Sequence, residues 1–160
     1  MRYLHESRNC ADHWYPKDLK KRAKIDMYLD QHHTYLRLGV GGFIFKRLFS
    51  PGQTGRAFED KELDFNRIMF KRSLRILEER LTQNTYLCGD EMTIADITAA
   101  CELDQIAFVG WSLDKWPKTK AWLHKMVDSQ PELNEMSQQM RKLASLAIKK
   151  QMKTGGLAKL

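Results

Sequence analysis

Apolar residues recur every three or four positions through most of this chain, and strict two-residue alternation is nowhere sustained. The pattern predicts helices, and no hairpin dipeptide lies between alternating β-branched runs. A first long helix is expected from about Lys17 to Arg47, on Leu19, Ala23, Ile25, Met27, Tyr28, Leu29, Leu36, Val40, Ile44 and, just beyond, Leu48. Pro16 suits its first turn. It is longer than most globular helices, and Gly39-Val40-Gly41-Gly42 should bend or loosen it. Ser50-Pro51-Gly52 is expected to break the chain, with a polar loop following to Asp60.

A second helix, about Asp60 to Leu81, places Leu63, Phe70, Leu74, Leu77 and Leu81 on one stripe. Tyr86-Leu87-Cys88-Gly89-Asp90 reads as a turn. In Met92-Thr93-Ile94-Ala95-Asp96, Thr93 can cap a helix while Asp96, three residues on, reaches back to the Thr93 amide. Met92 and Ile97 can pack across that cap as a staple. The helix so begun, about Ile94 to Val109, is apolar nearly all round and belongs at the centre of a bundle. Trp116-Pro117 opens another helix to about Asp128, expected to bury Ala121, Trp122, Met126 and Val127. Pro131 opens the last, with Leu133, Met136, Met140, Leu143 and Ala147 expected inward. The fold class is therefore all-α, a helical bundle around one central buried helix.

Composition changes this picture little. The chain has 160 residues, enough for one domain with a real core. No run is apolar enough to span a bilayer, and the first residues lack the apolar run of a secretory signal. No membrane association is expected. The net charge of +7 raises the question of nucleic acid, yet six of the 27 basic residues lie in 136–160, which holds no acid. The remainder, 21 basic against 20 acidic residues, is balanced, so the basicity belongs to the tail and no nucleic-acid partner is expected. Cys10, Cys88 and Cys101 form neither a disulfide framework nor a zinc spacing, and a reducing compartment fits. His32 and His33 are adjacent, not four apart, so no metal site is expected.

Three segments carry a resemblance. Asp12-His13-Trp14-Tyr15-Pro16-x-Asp18-Leu19-x-x-Arg22-Ala23 resembles the linker and first C-terminal-domain helix of theta-class glutathione transferases. His32-His33-Thr34-Tyr35-Leu36-Arg37 continues the match, nearest to plant-like members. Leu87-Cys88-Gly89-Asp90-x-x-Thr93-Ile94-Ala95-Asp96, followed by Cys101-Glu102-Leu103, is similar to the superfamily's capping segment. The resemblance covers about residues 1–148 and implies the C-terminal helical domain of such an enzyme. Residues 1–8 then read as the remnant of the last helix of a thioredoxin-like N-terminal domain that these 160 residues do not include. Residues 9–16 read as a linker, 17–148 as the helical domain and 149–160 as a flexible basic tail.

What the resemblance implies for function follows residue by residue. Such enzymes hold glutathione, the co-substrate, chiefly in the N-terminal domain, where a serine stabilises the attacking thiolate. This chain alone is thus expected to bind no cofactor, to contain no catalytic residue and to be inactive. The parent enzyme would conjugate glutathione to hydrophobic electrophiles or reduce organic hydroperoxides, as a homodimer. The helical domain would supply the electrophile-pocket wall and part of the dimer contact. Arg37 is the expected pocket cation, alternatively an Arg merely paired with an acid on the next helix. Gly41 and Phe45 follow it at successive turns, Phe45 lining the pocket or packing in the core. Thr34, Tyr35 and Leu36 adjoin Arg37 in the motif. Thr93 and Asp96 are the structural N-cap, and Glu102 and Asp104 need partners on a buried helix. The other reading is a non-catalytic, transferase-like protein-interaction module. Ala158-Lys159-Leu160 resembles a C-terminal peroxisomal signal with Ala in place of Ser, so the expected location is peroxisomal or cytoplasmic.

Overall fold

The computed structural model describes the backbone of residues 1–153 and side chains through Leu146. Among the described residues there is no strand, only an isolated bridge between Tyr86 and Gly89. Helix α1 (Arg2–Ser7) and a 3-10 turn (Asp12–Trp14) lead into α2 (Leu19–Thr34). The cap of α2 is Asp18, whose carboxylate accepts from the Lys21 amide at 2.8 Å, so Pro16 lies outside the helix rather than in its first turn.

Beyond α2 the chain loosens at its glycines into wide turns. Arg37–Gly41 and Phe45–Phe49 are π-helical, separated by the α-helical turn Gly42–Ile44, and Ser50–Thr54 is α-helical again. The expected break at Ser50-Pro51-Gly52 is overturned: Pro51 occupies the opening turn of a helical piece, where its missing N–H costs nothing. The stop comes at Gly55, whose φ of 70° is left-handed. The wide turns follow from packing. A Cβ on Gly39 would sit 2.6 Å from the Phe70 backbone nitrogen, so Gly39 permits direct contact with α3 (Asp60–Gln83).

The stripe expected on α3 is buried, with Leu63, Phe70, Leu74 and Leu77 at most 2% exposed. Asn66 and Ser73 are buried in the same face. Helix α4 (Ile94–Leu103) sits at the centre, against α2, the π-helical Arg37–Gly41 segment and α5 (Pro117–Ser129). It is shorter than the expected Ile94–Val109, because Asp104–Val109 tightens into a 3-10 turn ending at Gly110 with φ 65°. At its start Thr93 and Asp96 form a reciprocal capping box. Asp96, 0% exposed, accepts from the Leu87 and Thr93 amides at 2.9 Å each, from Thr93 Oγ1 at 3.0 Å and from Trp122 Nε1 at 3.2 Å. One carboxylate thereby ties the 86–90 turn, the cap and α5 together.

On α5, Thr119, Trp122, Leu123 and Met126 are buried, while Ala121, expected inside, is exposed. Helix α6 (Pro131–Lys153) departs further from expectation. Its inward residues are Leu133, Ser137 and Ala144, while Met136 and Leu143 face solvent. The helix is turned by a polar tie: Arg141 donates to the buried Asp104 at 2.8 Å and to Ser137 Oγ at 3.1 Å. The backbone of α6 remains helical to Lys153, past the expected start of the tail at 149. The side chain of Ala147 and the ending Ala158-Lys159-Leu160 lie outside the described residues.

Candidate functional site

The two motif segments that precede the site touch each other. His13 in the linker lies 2.7 Å, through Nδ1, from the Met92 carbonyl beside the cap. Tyr15 donates to both oxygens of Asp26 and carries the Arg22 guanidinium over its ring. The linker therefore anchors the start of α2 and, through it, the register of the wide-turn segment.

At the far end of α2 three elements converge on one carboxylate. Glu102, on α4, is 6% exposed at the side chain; its Oε2 lies 3.0 Å from an Arg37 guanidinium nitrogen and 3.6 Å from His32 Nε2. Arg37 keeps 55% of its side chain in solvent, whereas that of His32 has none. Gly41 supplies the room, since a Cβ there would meet Glu102 Oε1 at 2.5 Å. Gly42 makes the equivalent room for Asn66, whose amide donates to the Leu38 carbonyl at 2.6 Å and accepts from Lys46 Nζ at 3.0 Å. The glycines of the 39–42 run thus answer three contacts: Phe70 backbone, Glu102 carboxylate and Asn66 amide.

The pairing alters both readings of Arg37. Its acid sits on the buried central helix, not on the next one, so the interaction has one desolvated partner and one half-exposed partner. Removing the Arg would leave a buried carboxylate bare, a loss of about 3–5 kcal/mol in comparable pairs before solvent screening of the exposed guanidinium reduces it. The exposed part of the guanidinium keeps donors free to face a ligand.

The remaining expected residues divide. Leu36 is core, 2% exposed. Thr34 is exposed and donates back to the Gln31 carbonyl. Tyr35 is part-buried beside a space of about 10 Å³, room for one water, shared with Tyr28, His32 and Ser73. Phe45 is 47% exposed and so is not packed in the core, leaving its pocket-lining role as the surviving expectation. Glu102 and His32 are the residues that sequence reasoning missed as parts of this cluster. A carboxylate on an otherwise apolar helix was the available signal for Glu102; nothing local marked His32.

None of this chemistry supplies a nucleophile. Burial pushes the Cys88 thiol up to about 12 and also raises that of Cys101, so both stay protonated. Among the described residues no cluster of three or more His, Cys, Asp or Glu side chains could hold a metal ion, and no helix is long and apolar enough to cross a membrane.

A central helix launched by a buried Thr–Asp box, inside an all-helical bundle, with a half-exposed Arg backed by that same helix, defines a transferase-type helical domain. Residues 43–130 match the family model for the glutathione S-transferase C-terminal domain, and the chain belongs to that family. It is similar to glutathione S-transferase theta-1 of Gallus gallus, 30% identical over 158 residues, covering 94% of this chain and 60% of the relative. Glutathione S-transferase T1 of Arabidopsis thaliana is 38% identical over 101 residues, 61% of this chain and 41% of that protein. A human theta-class enzyme, solved with the glutathione conjugate of 1-menaphthyl sulfate, superposes with a TM-score of 0.80. It is 27% identical, over 93% of this chain and 62% of the solved one. The chain thus spans about three fifths, or less, of the length of these relatives.

Proposed function

We propose that this chain is the electrophile-pocket and dimer-contact domain of a theta-like glutathione transferase. The observation that carries the reading is Arg37: a fixed, half-exposed cation, seated by Glu102 across Gly41, in a chain of the transferase family. A guanidinium so placed can hold a glutathione carboxylate or stabilise charge growing on a leaving group. Phe45 would line the same pocket, and Thr34 and Tyr35 would flank it. The co-substrate is glutathione, and the reaction is thiolate attack on a hydrophobic electrophile or on an organic hydroperoxide. The thiolate would be held by a thioredoxin-like domain, so residues 1–160 by themselves turn nothing over.

Exposed apolar residues support the dimer part of the proposal. Phe65 and Ile68, one turn apart on α3, are 55% and 50% exposed, and Phe49 is 49% exposed. Such residues are expensive to leave in water at about 25 cal/mol per Å², and a second subunit would cover them. Residues 1–8 as the end of a preceding domain, 9–16 as linker and a helical domain from 17 that runs on through α6 to Lys153 complete the proposed organisation.

The test is a fusion. Residues 1–160, alone and joined behind a theta-class thioredoxin-like domain, are assayed for conjugation of glutathione to 1-menaphthyl sulfate. Turnover by the folded fusion and none by the chain alone is the expected result. Turnover by the chain alone, or a folded but inert fusion, would overturn the proposal.

A further inference from the structure

We propose that Arg37 takes up an anion together with a proton, the proton entering the buried His32–Glu102 pair, and that Glu102 is the positioning residue that sets this coupling. The proposal builds on the reading of Arg37 as a ligand-facing cation, and its test is independent of transferase turnover.

One oxygen of Glu102 lies against Gly41, where a Cβ would come within 2.5 Å of it. The other is shared between Arg37 at 3.0 Å and His32 at 3.6 Å. With His32 neutral, Arg37 alone compensates the buried charge. An anion arriving from solvent must then share the guanidinium with a carboxylate that is only 6% exposed, and the two acids compete for one cation. The cluster's net charge in that state is zero.

A proton on His32 reverses this. Both ring nitrogens of His32 are buried without a hydrogen-bond partner, and Nε2 already points at the carboxylate. Protonated, the imidazolium holds Glu102 by itself, Arg37 is released to solvent, and the cluster carries one positive charge. Anion binding therefore favours the protonated form. By reciprocity, affinity rises as pH falls through the His32 titration, and a bound anion raises the pH at which His32 titrates.

The other groups facing His32 do not supply this switch. The Tyr28 ring lies 6.0 Å away, and burial raises its phenol so that it stays neutral. His33, with its ring at 5.8 Å, is exposed. Tyr35 and Ser73 border the small space beside His32. Arg80 sits over the Tyr28 ring at 5.6 Å, and Arg80 and Asp96 act on Tyr28 with opposite sign. Cys101, next to Glu102, is held protonated by burial. Glu102 is the charged group at contact distance.

Sulfate, whose charge is constant from about pH 5 to 8, the range in which histidine titrates, is the probe. It is titrated into the purified chain while the Arg37 side-chain Nε–Hε resonance is followed by NMR. Wild-type affinity should rise with acidification, by at most about tenfold per pH unit, the limit for one proton per anion. Glu102→Gln leaves nothing to hold Arg37, so it should bind sulfate at pH 8 at least as well as wild type does at pH 5, with a flat pH profile. A merely structural Glu102 would give weaker binding at every pH. His32→Gln should keep the weak, high-pH affinity throughout, with His33 still present in both variants. If a variant fails to fold, the wild-type His32 Hε1 titration decides, since sulfate should move its midpoint upward. Sulfate binding that ignores pH, binding retained in Arg37→Met, or a His32 midpoint unmoved by sulfate would overturn the proposal.

Discussion

Replacing Asp96 with Ala removes the acceptor for four donors at once: the Leu87 and Thr93 amides, the Thr93 hydroxyl and the Trp122 indole N–H. The hydroxyl can turn to another acceptor, but the two amides and the indole are fixed in a dry site. An unsatisfied buried donor costs about 1–3 kcal/mol, and part of that is recovered because a buried carboxylate no longer has to be desolvated. A net loss of about 3–5 kcal/mol is expected, a large share of the roughly 5–15 kcal/mol that holds a domain together. At about 2–4 °C per kcal/mol for a chain of this size, the melting midpoint should fall by about 6–20 °C. Asp96→Asn keeps one acceptor oxygen and should lose roughly half as much. Urea unfolding followed by far-UV circular dichroism measures both. A loss below about 1 kcal/mol for Asp96→Ala would show that the cap does not join turn, central helix and α5, and would refute the reasoning.

Three further outcomes follow from the same contacts. Glu78 on α3 accepts from the Lys118 and Thr119 amides at the start of α5 and from the Thr119 hydroxyl at 2.7 Å; burial opposes its ionisation, yet these donors hold its carboxyl below the usual range. Its stabilisation is therefore present above the unfolded-state value and is lost as pH falls through the lowered one, so the stability gap between wild type and Glu78→Gln should shrink on acidification; a gap constant from neutrality to about pH 3 would contradict this. Gly39→Ala should cost about 1–3 kcal/mol by forcing a methyl against the Phe70 backbone, with Gly52→Ala, which meets nothing, as the neutral control in the same thermal melts. Finally, Leu160→Asp in a tagged protein imaged in cells should abolish any peroxisomal signal, and unchanged import would defeat that reading of Ala158-Lys159-Leu160.

What was legible in the sequence was short-ranged. The Thr93–Asp96 box could be read because both partners lie within one turn, and the α3 stripe because a single helix face carries it. The widened turns after α2 could not, since i, i+3 and i+4 apolar spacing fits an α-helix equally well and the cause is the Phe70 backbone opposite Gly39. Pro51 looked like a stop, yet the helical run from Phe45 passes through it and ends at Gly55. The rotation of α6 was hidden for a similar reason. Met136 and Leu143 are the more apolar choices, but Arg141 bound to Asp104 turns Ser137 inward instead. In the site, Arg37 was found by its motif, while Glu102 and His32 emerge only when α4 and α2 are brought side by side.

The central claim is that Arg37, seated by Glu102, is the working cation of a glutathione-transferase pocket. The most direct measurement is kcat/KM for glutathione conjugation by the fusion with a theta-class thioredoxin-like domain, with Arg37 intact and as Arg37→Met. A charge-assisted contact worth about 1.5–3 kcal/mol predicts a drop of roughly ten- to a hundredfold in the Met variant, with the fold unchanged by circular dichroism. Equal kcat/KM in the two proteins would contradict the account.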